Sequence, residues 1–242
     1  MPGNKNGGIS WHIITWLVAG AHHRFLVIRS VEILAPTFLE YWAVRRTLPH
    51  AHASWTGVRL TRWKGACQGT TVIVCGLAGA LVPDLPPGTI LIPERVGLTD
   101  GRIMQCDPTL VQVLVTAAHS LHFRADTRPL LTSQSLIVGW DRHDWAQRGF
   151  VAADMETGLL VERNLRVATI RVVLDSPGQN ISPAWLHPAK ALLYPQRWQE
   201  LFWLCRVAPR YALRAARVLK TGLVTRPSSM FVEERLMNER SN

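Results

Sequence analysis

Apolar positions along the chain fall into two patterns. One is a short continuous run bounded by Gly, Pro or charged residues. The other is a longer stretch with apolar residues three and four apart. The first reads as a buried strand and the second as a helix. Runs at 25–32, 54–60, 70–81, 88–96, 129–133, 150–153 and 166–175 are the expected strands. The spans 36–48, 107–121, 141–149 and 155–164 are the expected helices. Pro36 and Pro108 stand where a first helical turn tolerates proline, and Asp107 is placed to cap the helix that follows it. Strands alternating with helices predict an α/β fold, with a mixed or mostly parallel sheet. The segment 176–188 reads as loop, with two Ser-Pro steps and a Pro-Gly turn.

Near the C-terminus Arg206, Arg210, Arg214, Arg217 and Lys220 recur every three or four residues, which puts all five on one helical face. Pro209 is expected to begin a second helix there. Such a face is either simply solvated or a contact for anionic lipid. A single domain is expected over 24–222, with an extension at 1–23 and a polar tail at 223–242. The run 13-IITWLVAGA-21 loosely resembles part of a signal peptide, and it is too short to span a bilayer.

The formal charge of +10 over 242 residues adds an anionic partner to this picture: nucleic acid, an anionic membrane or a phosphorylated substrate. Ten tryptophans could stack on bases, but they are scattered and no nucleic-acid-binding motif accompanies them, so nucleic acid is not expected. The four cysteines form no CxxC, which argues against a zinc site or a disulfide framework and for a reducing, cytoplasmic setting. His119 and His122 can share a helix face but lack a third ligand nearby, so no metal is expected.

Three segments fall at the C-terminal ends of expected strands: 75-CGLAGAL-81, 153-ADMET-157 and 171-RVVLD-175. In an open α/β sheet such ends border one cleft. Gly76 and Gly79 let backbone approach a ligand closely, and their N–H groups can cradle an anion. Asp154 and Glu156 stand at a strand-to-helix junction. There an acid can cap the helix or meet a ligand, and the local sequence leaves both open.

Taken in order, CGLAGAL with PGTILIPERV, then ADMET, then RVVLD resemble the nucleoside phosphorylase and nucleosidase superfamily. That group includes purine nucleoside phosphorylases and methylthioadenosine/S-adenosylhomocysteine nucleosidases. The resemblance covers roughly 25–176. It implies a three-layer fold with a central mixed sheet flanked by helices, and cleavage of the N-glycosidic bond of a purine nucleoside. By the same resemblance Met155 and Glu156 hold the ribose, with Glu156 accepting from both hydroxyls. Asp175, four residues after Arg171, protonates the purine. Leu136 and Ile137 face the base, and Asp154 points away and supports the turn. Gly76, Ala78 and Gly79 frame the nucleophile.

Many members carry a hydroxyl residue where this chain has Leu77. A phosphate here would therefore rest on backbone N–H groups and on Arg29 or Arg171. A nucleosidase would need instead a glutamate near the end of the first strand, for which Glu32 is the candidate. No cofactor is implied other than phosphate as co-substrate, and a homo-oligomer is implied. The tail 193–219 is similar to that of hopanoid-associated phosphorylases, a branch acting on adenosylated hopane. That likeness implies a lipid-linked adenosine, and membrane contact through the basic helix. The reading is phosphorolysis, a pentosyl transfer releasing base and ribose 1-phosphate. Hydrolysis of methylthioadenosine-like substrates, or silent nucleoside binding, are the alternatives.

Overall fold

The computed structural model describes residues 31–66, 70–160, 163, 165–179, 181–182, 194 and 198–224. In chain order the strands are β1 (Val31–Ala35), β2 (His52–Trp55), β3 (Thr71–Ala80), β4 (Ile90–Leu91), β5 (Arg95–Leu98), β6 (Ile103–Gln105), β7 (Ala125–Asp126), β8 (Leu130–Thr132), β9 (Ala152–Asp154) and β10 (Arg166–Asp175). The helices are α1 (Phe38–Thr47), α2 (Pro108–Ser120), α3 (Trp140–Gln147) and α4 (Trp198–Val224). They flank a mixed ten-stranded sheet, as expected of this α/β fold.

The two longest strands, β3 and β10, run parallel from Arg166 opposite Thr71 to Asp175 opposite Gly79. Both are buried nearly throughout, as strands covered on both faces are, and β10 carries Thr169 and Arg171 into that interior. β10 occupies one edge of β3 along most of its length, and two strands share the other edge. β1 pairs in parallel with Val31–Leu34 opposite Thr71–Val74, and β9 pairs antiparallel with Ala153 and Ala152 opposite Gly79 and Ala80. The edge of β3 is therefore open to other partners between Cys75 and Ala78. The C-terminal ends of β1 and β9 both arrive at this fork, and that fixes where a site can form.

Local chemistry sets the elements around the fork. Thr37 caps α1 by accepting from the Glu40 backbone N–H, and the Glu40 carboxylate returns to the Thr37 N–H at 2.7 Å, a capping box. Asp107 caps α2 through the Leu110 N–H at 2.9 Å, with Pro108 in the first turn, as expected. A bulge at Leu174 shifts the register between Val173 and Asp175 and re-aims the end of β10.

Several expected elements differ. Of the strand expected over 25–32, residues 25–30 lie outside the described residues, and the described part continues to Ala35 as β1. The strand expected over 54–60 stops at Trp55, and Val58–Leu60 form a 3₁₀ turn. The run 88–96 is split by Pro93, which cannot donate to a ladder. Its halves become β4, beside β10, and β5, beside β8. The helix expected over 155–164 opens instead as one 3₁₀ turn at Thr157–Leu160. β6 and β7 were too short to leave a periodic signal.

α4 does not break at Pro209. Interrupting a helix there costs about 3 kcal/mol. The buried face of Ala208, Ala212, Ala215, Ala216, Leu219 and Leu223 runs across it and packs on α1, α2, β3 and β10. A fully buried leucine alone contributes about 1.5–3 kcal/mol, so packing outweighs the lost bond. The five basic residues do not all share the solvent face. Arg206, Arg210, Arg217 and Lys220 are exposed. Arg214 turns inward, donates to the Gly88 carbonyl and lies over the Phe123 and Tyr211 rings. Among the described residues no helix is long and apolar enough to cross a membrane.

Candidate active site

A cavity of about 240 Å³ opens at the fork in the sheet. The turn after β1 supplies Pro36 and Thr37, the first turn of α1 supplies Glu40, and β3 supplies Leu77, Ala78 and Gly79. Met155 and Glu156 follow β9, and Asp175 ends β10. Leu136 and Ile137 close it from the loop before α3. Of the residues named from sequence, Asp175, Glu156, Met155, Leu136, Ile137, Ala78 and Gly79 all line this one cavity.

Asp154 is fully buried. Its carboxylate accepts from the Thr157 hydroxyl and backbone N–H, and from the Thr132 hydroxyl at 2.5 Å. It thus supports the turn, as expected. It also pairs with Arg171 at 2.5 Å, and Arg171 reaches Glu156 at 3.3 Å. Burial works against the charge on Arg171, yet Asp154, Glu156 and Glu40 together raise its pKa. Glu156 is pushed up to about 7. Burial is the main cause; Arg171 opposes it, and the Asp154 and Glu40 carboxylates add to it. Three carboxylates share one guanidinium here, so a proton on Glu156 relieves the excess negative charge.

Three residues expected at the nucleophile lie elsewhere. Arg171 is fully buried behind Glu156 and does not reach the cavity, because its guanidinium is committed to Asp154, Glu156 and Thr157. Gly76 sits beneath the surface of the site. A Cβ there would run into the Glu40 carboxylate and come within 2.8 Å of Arg171 Nη1, so glycine is needed for close approach rather than for an anion. Glu32 does not line the cavity; it accepts from the Ser54 hydroxyl at 3.1 Å and the Trp63 indole N–H at 3.0 Å. Arg29 lies outside the described residues.

Two residues that the sequence reading missed belong to this cavity. Glu40 projects from the first turn of α1, and its Oε1 accepts from the Leu77 N–H at 2.7 Å, at the unpaired edge of β3. Its only sequence signal was the Thr-x-x-Glu capping pattern, which explains a glutamate there without any site. Arg142, on α3, is buried and pairs with Asp175. Burial pushes the Cys75 and Cys106 thiols up to about 12, which makes them unreactive. Among the described residues no group of three metal-ligating side chains occurs, and His119 and His122 are both exposed.

The sequence profile of the phosphorylase superfamily matches residues 59–188. Among curated proteins none matches. Among solved structures the chain is similar to Helicobacter pylori 5′-methylthioadenosine/S-adenosylhomocysteine nucleosidase (TM-score 0.62, 12% identity, 81% of this chain and 98% of that one). It is similar also to futalosine hydrolase of the same organism (TM-score 0.60, 12% identity, 82% and 98%). S-adenosylhomocysteine nucleosidase from Streptococcus pyogenes is a third (TM-score 0.60, 17% identity, 81% and 97%). At these identities the likeness concerns the fold.

Proposed function

Because the chain belongs to the phosphorylase superfamily, we propose that it is a nucleosidase: it hydrolyses the N-glycosidic bond of an adenosine-type nucleoside, with Glu40 activating the water. The observation that carries this reading is the Glu40 carboxylate at the open edge of β3, beside Leu77 and on the same cavity as Glu156. In the phosphorylase reading that place belongs to phosphate. A phosphate dianion there would meet the Glu40 carboxylate, while Arg171 is already committed and Leu77 offers no hydroxyl. Like charges in a partly desolvated site repel strongly. A neutral water meets no such penalty, and a carboxylate is the group it needs as base.

The remaining roles follow from the same placement. Glu156 accepts from the ribose hydroxyls, and Met155 packs its thioether on the sugar. Leu136 and Ile137 cover the base. Asp175 delivers a proton to the purine as the C–N bond breaks, and water adds to the sugar from the Glu40 side. The products are free adenine and the free sugar. The lipid-linked substrate implied by the C-terminal likeness is not part of this proposal.

The test is Glu40→Gln, which can keep the bond to the Leu77 N–H while losing the base. Adenine release from 5′-methylthioadenosine should collapse while nucleoside binding persists. Full activity in this variant would refute the assignment of Glu40.

A further inference from the structure

We infer that Arg142 is a positioning residue for departure of the base, acting through Asp175. The inference rests on the reading of Asp175 as the leaving-group acid. Arg142 is only 4% exposed, and all three of its guanidinium nitrogens are used. Nε donates to the Ile137 carbonyl at 3.0 Å, Nη1 to the Ala80 carbonyl at 2.7 Å, and Nη2 to Asp175 Oδ2. One planar group thereby ties the loop over the base, the end of β3 and the end of β10.

The two oxygens of Asp175 are not equivalent. Oδ2 takes Arg142 Nη2 and also the Ile181 backbone N–H at 3.2 Å. Oδ1 lies over Gly79, where a Cβ would come within 2.7 Å of it. Gly79 lines the cavity and carries no side chain to shield that oxygen. Oδ1 is therefore the oxygen left for substrate, and it is the one that must hold and transfer the proton. Arg142 Nη2 and the Ile181 N–H together hold Oδ2, and holding one oxygen at two donors restricts the rotation of the carboxyl that would move Oδ1. Because the same guanidinium holds the Ile137 carbonyl, the base-covering loop and the acid keep one spacing. Catalytic groups lose much of their advantage when misplaced by about an ångström, so this tether belongs to the chemistry and not to stability alone.

A misdirected acid harms only substrates whose leaving group needs a proton. The experiment compares Arg142→Met, Asp175→Asn and the double variant on 5′-methylthioadenosine and on 4-nitrophenyl riboside, whose phenolate departs unprotonated. Asp175→Asn should slow adenine release by about 10²–10⁴-fold, the range for a general acid. Arg142→Met should lower kcat for adenine release by at least about tenfold while leaving nitrophenolate release within a few-fold of wild type, as a misplaced acid requires. The double variant should be no slower than Asp175→Asn alone, because the two side chains act as one unit. If Arg142→Met does not fold, Arg142→Lys takes its place. Lysine can meet one acceptor but not three, and the same contrast between substrates is expected.

Equal losses on both substrates, or losses that multiply in the double variant, would overturn the inference and leave Arg142 a structural residue. So would unchanged adenine release in Arg142→Met. Full activity in Asp175→Asn would instead remove the leaving-group acid itself, a distinct failure belonging to the proposed function.

Discussion

Glu40 and Leu77 are 37 residues apart, yet the Glu40 carboxylate accepts from the Leu77 backbone N–H at 2.7 Å. The bond exists because β1 and β9 leave β3 unpaired between Cys75 and Ala78. A strand edge that would ordinarily seek another strand takes a side-chain carboxylate instead, and the carboxylate is held at the cavity. The replacement Glu40→Gln preserves one acceptor for Leu77, but its amide NH2 cannot accept from the Thr37 N–H, so loss of that half of the capping box should cost about 0.5–1.5 kcal/mol. Adenine release should fall by about 10²–10⁴-fold, the contribution expected of a general base. Initial rates on 5′-methylthioadenosine, with thermal unfolding as a control, check both halves.

Gly76 faces a tighter constraint than its place in a glycine-rich strand suggests. Gly76→Ala must displace the Glu40 carboxylate or the Arg171 guanidinium. Overpacking of this kind costs about 1–3 kcal/mol. For a chain of this size, each kcal/mol lowers Tm by about 2–4 °C. Activity should fall further than the Tm change accounts for, because Glu40 moves with it. Calorimetry beside initial rates measures the two.

Burial and neighbouring charge make Glu156 a source of pH-dependent stability. Its carboxyl ordinarily titrates at 4.5 and is pushed up to about 7 in the fold, by burial first and then by Asp154 and Glu40 against Arg171. The folded chain therefore holds this proton more tightly than the unfolded chain. The stabilising contribution is complete below about 4.5 and is lost as pH rises through about 7. Glu156→Gln removes the titration. Its stability relative to wild type should rise across that window by an amount on the order of 3 kcal/mol, and stay level above it. Denaturant melts at pH 5 and pH 8 give the difference. A constant gap at both pH values would contradict it.

Peripheral contact with an anionic bilayer is the role we propose for the outer face of α4. Arg206, Arg210, Arg217 and Lys220 are exposed there, and Phe202 is 69% exposed on the same helix. Phosphatidylserine-containing vesicles should sediment with the protein at low salt and release it as salt rises, each basic residue contributing about 1 kcal/mol. Arg206→Glu with Arg210→Glu should abolish sedimentation and leave hydrolysis of a soluble nucleoside unchanged. Equal binding to neutral vesicles would contradict the electrostatic account.

What was legible in the sequence was what local signals encode. β3 and β10 are long apolar runs, and Asp107-Pro108 states its cap outright. The ends of β9 and β10 were legible as strand ends, but β9 runs antiparallel to β3, so Met155 and Glu156 meet Asp175 at the fork and not along one edge of a parallel sheet. Glu40 was hidden because its capping role is a sufficient local explanation, and its second role depends on a fork formed by chain segments far apart. Glu32 had nearly the right distance along the chain, but its carboxylate is taken by Ser54 and Trp63 and does not line the cavity. Arg142 lies within 141-DRHDWAQR-148, where a charged residue among polar neighbours reads as solvated surface; only the fold buries it. The split of 88–96 into β4 and β5 was signalled by Pro93, but the choice of partner strands is a tertiary outcome.

We propose that water and not phosphate attacks the sugar. The most direct measurement is adenine release from 5′-methylthioadenosine in phosphate-free buffer made with ¹⁸O-water, with the sugar product resolved by mass. Hydrolysis predicts full turnover without phosphate and one ¹⁸O atom in the free sugar. Release that depends on added phosphate and yields an unlabelled sugar 1-phosphate would contradict the account.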